Sequence, residues 1–435
     1  MSLKKSDQVP VTNIPGSERI ASLSNLFFEE FNRKPDFIVR VPGRVNIIGE
    51  HIDYCGYPVL PMALEQDILI AAGLLPNLCL QLRNSVGKYV KYDTDLKDHD
   101  ELVIQPDENG KPFWYNYVLC GVKGALEYLD NKIVNGLQLY VDGNILPASG
   151  LSSSSALVSA ACLAILHAQN VELNKKEIAN LCANSERYIG TQGGGMDQAI
   201  AFLAEKHSAQ YITFRPKLNA TSVALPEDAA FVVAHSFAEA NKAATNDFNQ
   251  RVIECRLAAK ILITSAGVTN DKEIITLSEV QNMLQNDLDD MIDLVHKYLP
   301  KDLYDKEEIC HILDIGVDDL DRLFLTQNTK HLKEFKLKQR ALHVYQEAKR
   351  VGEFRKISLE TLGELMSASH ESLRNLYECS HVNLDILVDL SKELNVNSRL
   401  TGAGWGGCIV ALCSKDNVES YIETLKEEFY RKHEY

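Results

Sequence analysis

The chain has 435 residues, 45% of them hydrophobic and 24% charged, with a formal net charge of −15. That length suggests two to three domains with substantial cores, and the acidic balance argues against partners that are nucleic acids or anionic membranes. The ten cysteines include no C-x-x-C pair and sit mostly in apolar runs, which fits reduced thiols in a cytoplasmic protein and excludes a disulfide framework or zinc site.

In chain order, residues 1–18 read as a loose polar leader without an apolar signal region, and no later stretch is long and apolar enough to span a bilayer. Apolar residues at helical spacing predict a helix over 20–31, ended by Pro35. Strands are expected over 37–41 and 45–48, separated by a loop at Pro42-Gly43. The second strand runs into Gly49-Glu50-His51-Ile52-Asp53-Tyr54. Further strands over 59–75 and 79–92, a helix over 116–129 and a strand over 137–141 lead to Pro147 and Gly150, which mark a turn.

Gly150, Leu151, Ser152, Ser153, Ser154 and Ser155 then open an apolar run that continues through Leu166. A Gly/Ser loop at a helix start offers free N–H groups and the positive dipole end to an anion. Its hydroxyls can join the shell of a phosphate-bound Mg²⁺. An ordinary N-cap needs one serine, and four in succession suit a helix interior poorly. A P-loop is excluded, because Gly87-Lys88 and Gly110-Lys111 lack a following Ser or Thr. The protein-kinase tripeptides are also missing.

A helix over 177–188 precedes a second glycine loop, Gly190-Thr191-Gln192-Gly193-Gly194-Gly195-Met196-Asp197. Asp197 there suits a general base for a hydroxyl, if a cation such as Arg44 keeps it ionised. Glu186 can face the same place, although its residue pattern alone favours a surface carboxylate. Arg44 with Glu50, His51 and Asp53 forms another polar set. Acceptor-only carboxylates suit a ligand rich in hydroxyl donors, a sugar, and a loop held by salt bridges is the equal alternative.

Short strands over 209–214 and 230–235 alternate with long helices. Residues 277–325 are helical and acidic, and Asp287, Asp289, Asp290 and Asp293 read as a solvated face. A Lys/Arg-rich helix over 332–351 is expected on the surface, followed by one over 359–377 carrying His370. Gly402, Gly404 and Gly407 satisfy G-x-G-x-x-G but lead into a β-type run, which refuses a dinucleotide fingerprint. They read as a tight loop between a helix and a strand.

Three blocks carry a resemblance: Pro42-Gly43-Arg44-Val45-Asn46-Ile47-Ile48-Gly49-Glu50-His51-Ile52-Asp53-Tyr54, the serine loop, and Leu400-Thr401-Gly402-Ala403-Gly404-Trp405-Gly406-Gly407. In this order and spacing the chain resembles the galactokinase branch of the GHMP small-molecule kinases. The resemblance runs from about Phe37 to the end, through Arg340-Ala341-Leu342-His343-Val344 and Ser369-His370-Glu371-Ser372-Leu373-Arg374. Within the branch it is most similar to N-acetylgalactosamine kinases. It shares Ile52, Cys55-Gly56-Tyr57 and Trp405, where galactokinases proper usually have Thr, Asn-Gly-Gly and Phe.

The resemblance implies an α+β, two-domain GHMP-kinase-like fold with the active site in the interdomain cleft. The domains expected are 1–205 and 206–435, the second with a helical insertion at about 277–325. It implies Asp197 as base for the anomeric hydroxyl, supported by Arg44, and Ser154 with Glu186 on Mg²⁺. Arg44, Glu50, His51, Asp53, Gly195 and Asp197 would bind the sugar, and Gly150 to Ser155 the ATP triphosphate. The implied activity is 1-phosphorylation of N-acetylgalactosamine, and more weakly galactose, by a cytoplasmic monomer. Galactokinase proper is the alternative; a kinase-like sugar sensor fits less well, because the serine loop is uninterrupted. Two departures stand out. Asp247-Phe248, within 241–248, replaces a Tyr-Pro pair usual beside the sugar, and the family's further strand after a helix over 419–431 is not reached before Tyr435.

Overall fold

The computed structural model describes residues 7–12, 17–108, 110–239, 243–269, 272–354 and 359–433. Much of the expected leader and the start of the 241–248 segment therefore lie outside the described residues, as does Tyr435. Strands and helices of both units make an α+β protein. The first unit comprises Met1–Arg44, Ala63–Pro147 and Leu151–Ala204; the second comprises Val45–Met62, Ala148–Gly150 and Glu205–Tyr435. The division falls inside two long strands, so the loop carrying Glu50, His51 and Asp53 belongs to the second unit.

The first unit contains α1 (Glu18–Phe31), most of β1 (Phe37–Ile48) and of β2 (Leu60–Leu75), β3 (Cys79–Asn84), β4 (Tyr92–Asp95), α2 (Trp114–Tyr128), β5 (Gly136–Gly143), α3 (Ser153–Ala168), α4 (Lys175–Glu186) and α5 (Met196–Leu203). Its sheet has the order β1-β2-β5-β3-β4, with β3 and β5 parallel. The two strands expected around Pro42-Gly43 are one continuous strand. β1 is an edge strand, where a proline's missing N–H is tolerated. Leu23 and Phe27 of α1 pack on Leu69 and Ala71 of β2. α2 crosses α3 so closely that a Cβ on Gly121 would lie 2.2 Å from the Val158 carbonyl oxygen. Leu157, Val158, Ile165 and Leu166 are all buried, so α3 is a core helix and its N-terminus is held rigidly.

The second unit contains β6 (Ala209–Thr213), β7 (Asn219–Val223), β8 (Ala229–His235), α6 (Asp247–Ser265), α7 (Leu277–Leu284), α8 (Leu288–Tyr298), β9 (Tyr304–Asp305), α9 (Lys306–Leu313) and α10 (Val317–Phe324). It continues through β10 (Glu334–Phe335), α11 (Leu337–Phe354), α12 (Leu359–Ser372), α13 (Val382–Glu393), β11 (Asn397–Thr401), β12 (Cys408–Ser414), α14 (Val418–Leu425) and α15 (Arg431–His433). β11, β12 and β8 form an antiparallel sheet.

Several expectations are corrected here. The 402–407 loop joins two paired strands, β11 and β12, where a helix had been expected before it. α11 is not a surface helix: Arg340, His343, Tyr345 and Glu347 are all buried. Its apparent polar face hides charges that are paired inside the fold. The helix expected over 359–377 ends at Ser372 and passes into a π-helical turn, Leu373–Tyr377. β7 was not foreseen, since Asn-Ala-Thr-Ser-Val has little apolar alternation. The acidic region resolves into four short helices, and its aspartates are solvated as expected: Asp287 caps α8 and Asp289 pairs with Lys349. All ten cysteines are free thiols and all but Cys79 are buried. Among the described residues no helix is long and apolar enough to cross a membrane.

Candidate active site

In the first unit, chain geometry brings Arg44 to the serine loop. A Cβ on Gly43 would lie 2.8 Å from the Leu151 carbonyl oxygen, and the Arg44 N–H donates to that same oxygen at 3.1 Å. Only glycine permits this approach. Ser152 holds the N-cap position of α3 at φ 64°, and its side chain caps nothing. Its Oγ is buried without a hydrogen-bond partner among the described residues. The serine run is therefore not an ordinary helix cap.

Arg44 Nε donates to Asp197 Oδ1 at 2.7 Å, and the two side chains are 6% and 11% exposed. Such a shielded, charge-assisted bond favours the ionised carboxylate. Asp197 lies in the first turn of α5, after Gly195 at φ 103°, where the helix dipole adds to that preference. Ser155 Oγ lies 2.8 and 2.9 Å from the two oxygens of Glu186 and 3.1 Å from Asp197 Oδ2. With one proton, that hydroxyl serves one carboxylate at a time. Ser154 Oγ is 3.2 Å from Glu186 Oε1, and Gln198 Nε2 donates to Glu186 Oε2 at 2.6 Å. Glu186 is thus a buried carboxylate, against the surface position its local pattern favours. The linking position of Ser155 and the Gln198 contact had no sequence signal beyond their neighbours.

In the second unit, Glu50 Oε1 accepts the Gly402 N–H at 2.6 Å and lies 3.4 Å from Arg399 Nη2. His51, at φ 63°, has both ring nitrogens engaged: Nδ1 is 2.8 Å from Tyr54 Oη and Nε2 is 2.9 Å from the Ala403 carbonyl oxygen. Burial pushes its pKa down to about 3, only partly opposed by the Ala403 bond, so the ring is neutral. Its place as a direct sugar ligand is weakened by these protein partners. Asp53 opens a 3-10 turn, Asp53–Cys55, and is half-buried. Rings of Phe248, Tyr377 and Trp405 surround His51 at centroid distances of 5.6, 4.7 and 5.9 Å.

α11 and α12 support this loop from behind. The Gly49 N–H donates to Glu347 Oε1 at 2.9 Å, Ser369 Oγ donates to the same oxygen at 2.7 Å, and His343 Nε2 is 3.1 Å from the Glu50 carbonyl oxygen. Burial opposes the charge on Glu347, but Arg350, His343 and Arg399 outweigh it and bring the pKa to about 2. The sequence presented His343 and Ser369 only within blocks that carry the resemblance, and Glu347 not at all; their supporting role needed the fold.

Three family models match the chain: the galactokinase galactose-binding signature over residues 25–74, the GHMP kinases N terminal domain over 116–205, and the GHMP kinases C terminal over 351–431. A galactokinase of Dictyostelium discoideum is 37% identical over 447 residues, covering 95% of this chain and 88% of that protein. A galactokinase of Saccharomyces cerevisiae is 31% identical, covering 96% and 90%. Among solved structures, Lactococcus lactis galactokinase complexed with galactose aligns with a TM-score of 0.72 at 25% identity, covering 94% of each chain. Methanococcus jannaschii mevalonate kinase shares the fold, with a TM-score of 0.54 at 19% identity over 90% of this chain and 95% of that one.

Proposed function

The chain belongs to the galactokinase family of the GHMP kinases, and we propose that it transfers the γ-phosphoryl group of ATP to the anomeric hydroxyl of galactose. It is an ATP-dependent sugar kinase. The choice of galactose is supported by the Dictyostelium discoideum, Saccharomyces cerevisiae and Lactococcus lactis proteins described above, which are galactokinases, and replaces the N-acetylgalactosamine preference expected from Ile52, Cys55, Tyr57 and Trp405. Acceptance of the 2-acetamido sugar stays as a second reading on one observation. Phe248, in place of the usual Tyr-Pro pair, lies beside His51.

The observation that carries the chemistry is the continuous set Arg44, Asp197, Ser155 and Glu186. Asp197 accepts the proton of the sugar C1 hydroxyl as O1 bonds to the γ-phosphorus and the bond to the β–γ bridging oxygen breaks, releasing ADP. Arg44 keeps Asp197 ionised and orients its second oxygen. Backbone N–H groups from Gly150 to Ser155 would receive phosphate oxygens at the start of α3. Glu186 and the Ser154 and Ser155 hydroxyls form an all-oxygen donor set, which fits Mg²⁺. When bound, Mg²⁺ supplies positive charge to the phosphates. Glu50 and Asp53 would receive sugar hydroxyls, with His51 holding their loop.

Steady-state turnover tests the base. Asp197→Asn should retain ATP affinity and lose ~10²–10⁴ in kcat. Near-normal turnover would remove Asp197 from that role.

A further inference from the structure

A partly buried chain of hydrogen bonds in the second unit has a single allowed direction. The Ala403 carbonyl oxygen can only accept, so His51 Nε2, 2.9 Å away, carries the ring proton. The neutral ring then offers Nδ1 as an acceptor, and the Tyr54 hydroxyl donates to it at 2.8 Å. Having given its proton away, Tyr54 Oη accepts from Tyr377 Oη at 2.6 Å. Tyr377 Oη in turn accepts from the Cys255 thiol at 3.2 Å. One carbonyl therefore sets the position of every proton from Cys255 to His51.

The far end of this chain is fixed to the fold. Tyr377 closes the π-helical turn, and single π turns tend to mark functional places in helices. Arg251 Nε donates to the Tyr377 carbonyl oxygen at 2.7 Å and Arg251 Nη2 to the Glu378 carbonyl oxygen at 3.2 Å. Arg340 Nη1 donates to the Leu376 carbonyl oxygen, and its Nε donates to Glu254 Oε2 at 2.8 Å. The near end is under strain. His51 keeps a left-handed φ of 63°, which persists only where surrounding contacts over-determine it. Tyr54 and Ala403 are the partners that hold its ring.

We infer that Tyr377 is a positioning residue for sugar recognition: through Tyr54 and His51 it fixes the 50–54 loop against the glycine loop at Ala403, with the Cys255 thiol as the donor to Tyr377. This rests on the reading of the 50–54 loop as the sugar-binding loop. Tyr377 touches neither reactant; it sets where Glu50 and Asp53 are presented.

The test combines steady-state kinetics with ¹⁵N NMR of histidine-labelled protein. Tyr377→Phe keeps the ring and deletes the donor. The KM for galactose should rise about 5- to 10-fold, the effect of one lost hydrogen bond, while the KM for ATP and kcat stay within about twofold. Cys255→Ala should raise the galactose KM in the same sense, and Cys255→Ser, which retains a donor, should restore it. Should Tyr377→Phe fail to fold, the Ala and Ser variants of Cys255 decide alone. The His51 ring should be an Nε2–H tautomer in the unmodified protein, with an Nδ1 resonance that shifts in Tyr377→Phe. An Nδ1–H tautomer, an unmoved galactose KM, or KM values for galactose and ATP rising together would overturn the inference. Failure of the functional reading is distinguishable. It shows as absent turnover of galactose in the unmodified protein; the inference about sugar recognition then falls with it, while the tautomer still reports the direction of the chain.

Discussion

Ser155 links the two carboxylates on which the proposed chemistry depends. It contacts Glu186 at 2.8 Å and Asp197 at 3.1 Å, so a change at one acid alters the hydroxyl available to the other. Glu186→Ala removes an oxygen ligand from the proposed Mg²⁺ site. The Mg²⁺ concentration for half-maximal rate should rise ~10-fold or more, read from initial rates at saturating ATP; an unchanged titration would contradict the assignment. Sequence separation explains what was legible at this scale. Asp197 stood out by its own glycine loop and Arg44 by its block, though they meet across 153 positions. Glu186 gave no such sign, because a helix carboxylate looks the same in sequence whether it faces water or a buried serine.

α11 shows why an element can be placed correctly and its exposure misjudged. Its basic residues suggest a solvent face, but Arg340 pairs with Glu254 of α6, 86 positions away, and with Glu378. Local periodicity carries no information about such partners. The packing of α11 against the 50–54 loop also sets a pH dependence. Burial, the leading cause in each case, takes His51 from an ordinary value of 6.5 to about 3 and His343 from 6.5 to about 4. Between those limits the unfolded chain binds protons that the native protein refuses. Stability therefore falls as pH drops from 6.5 toward 4. Glu347, with an ordinary value of 4.5 and a folded value of about 2, contributes stability above 4.5 that is lost as pH falls toward 2. His343→Gln should flatten the dependence near pH 5 by about one proton, ~1.4 kcal/mol per pH unit, measured by urea unfolding at pH 5 and 6. An unaltered slope would show that His343 is not held neutral by the fold.

For the molecule as a whole, the fold class was readable because three motif blocks occur in one order and spacing. The division into units was less so. Chain-order domains place residues 1–205 together, whereas Val45–Met62 clusters with the second unit. A strand that leaves one unit and enters the other has no compositional break to reveal it. The net charge of −15 likewise says little about a local phosphate cradle made of backbone N–H groups. Substrate choice is the least legible property: Phe248 and Trp405 beside His51 depart from the residues usual in galactokinases, whereas the relatives of highest identity described above are galactokinases. ³¹P and ¹H NMR of products from parallel incubations of galactose and N-acetylgalactosamine with MgATP examine the central claim directly. The account predicts galactose 1-phosphate, formed with the higher kcat/KM and lost in Asp197→Asn. No phosphorylated galactose, or phosphate at any carbon other than C1, would contradict it.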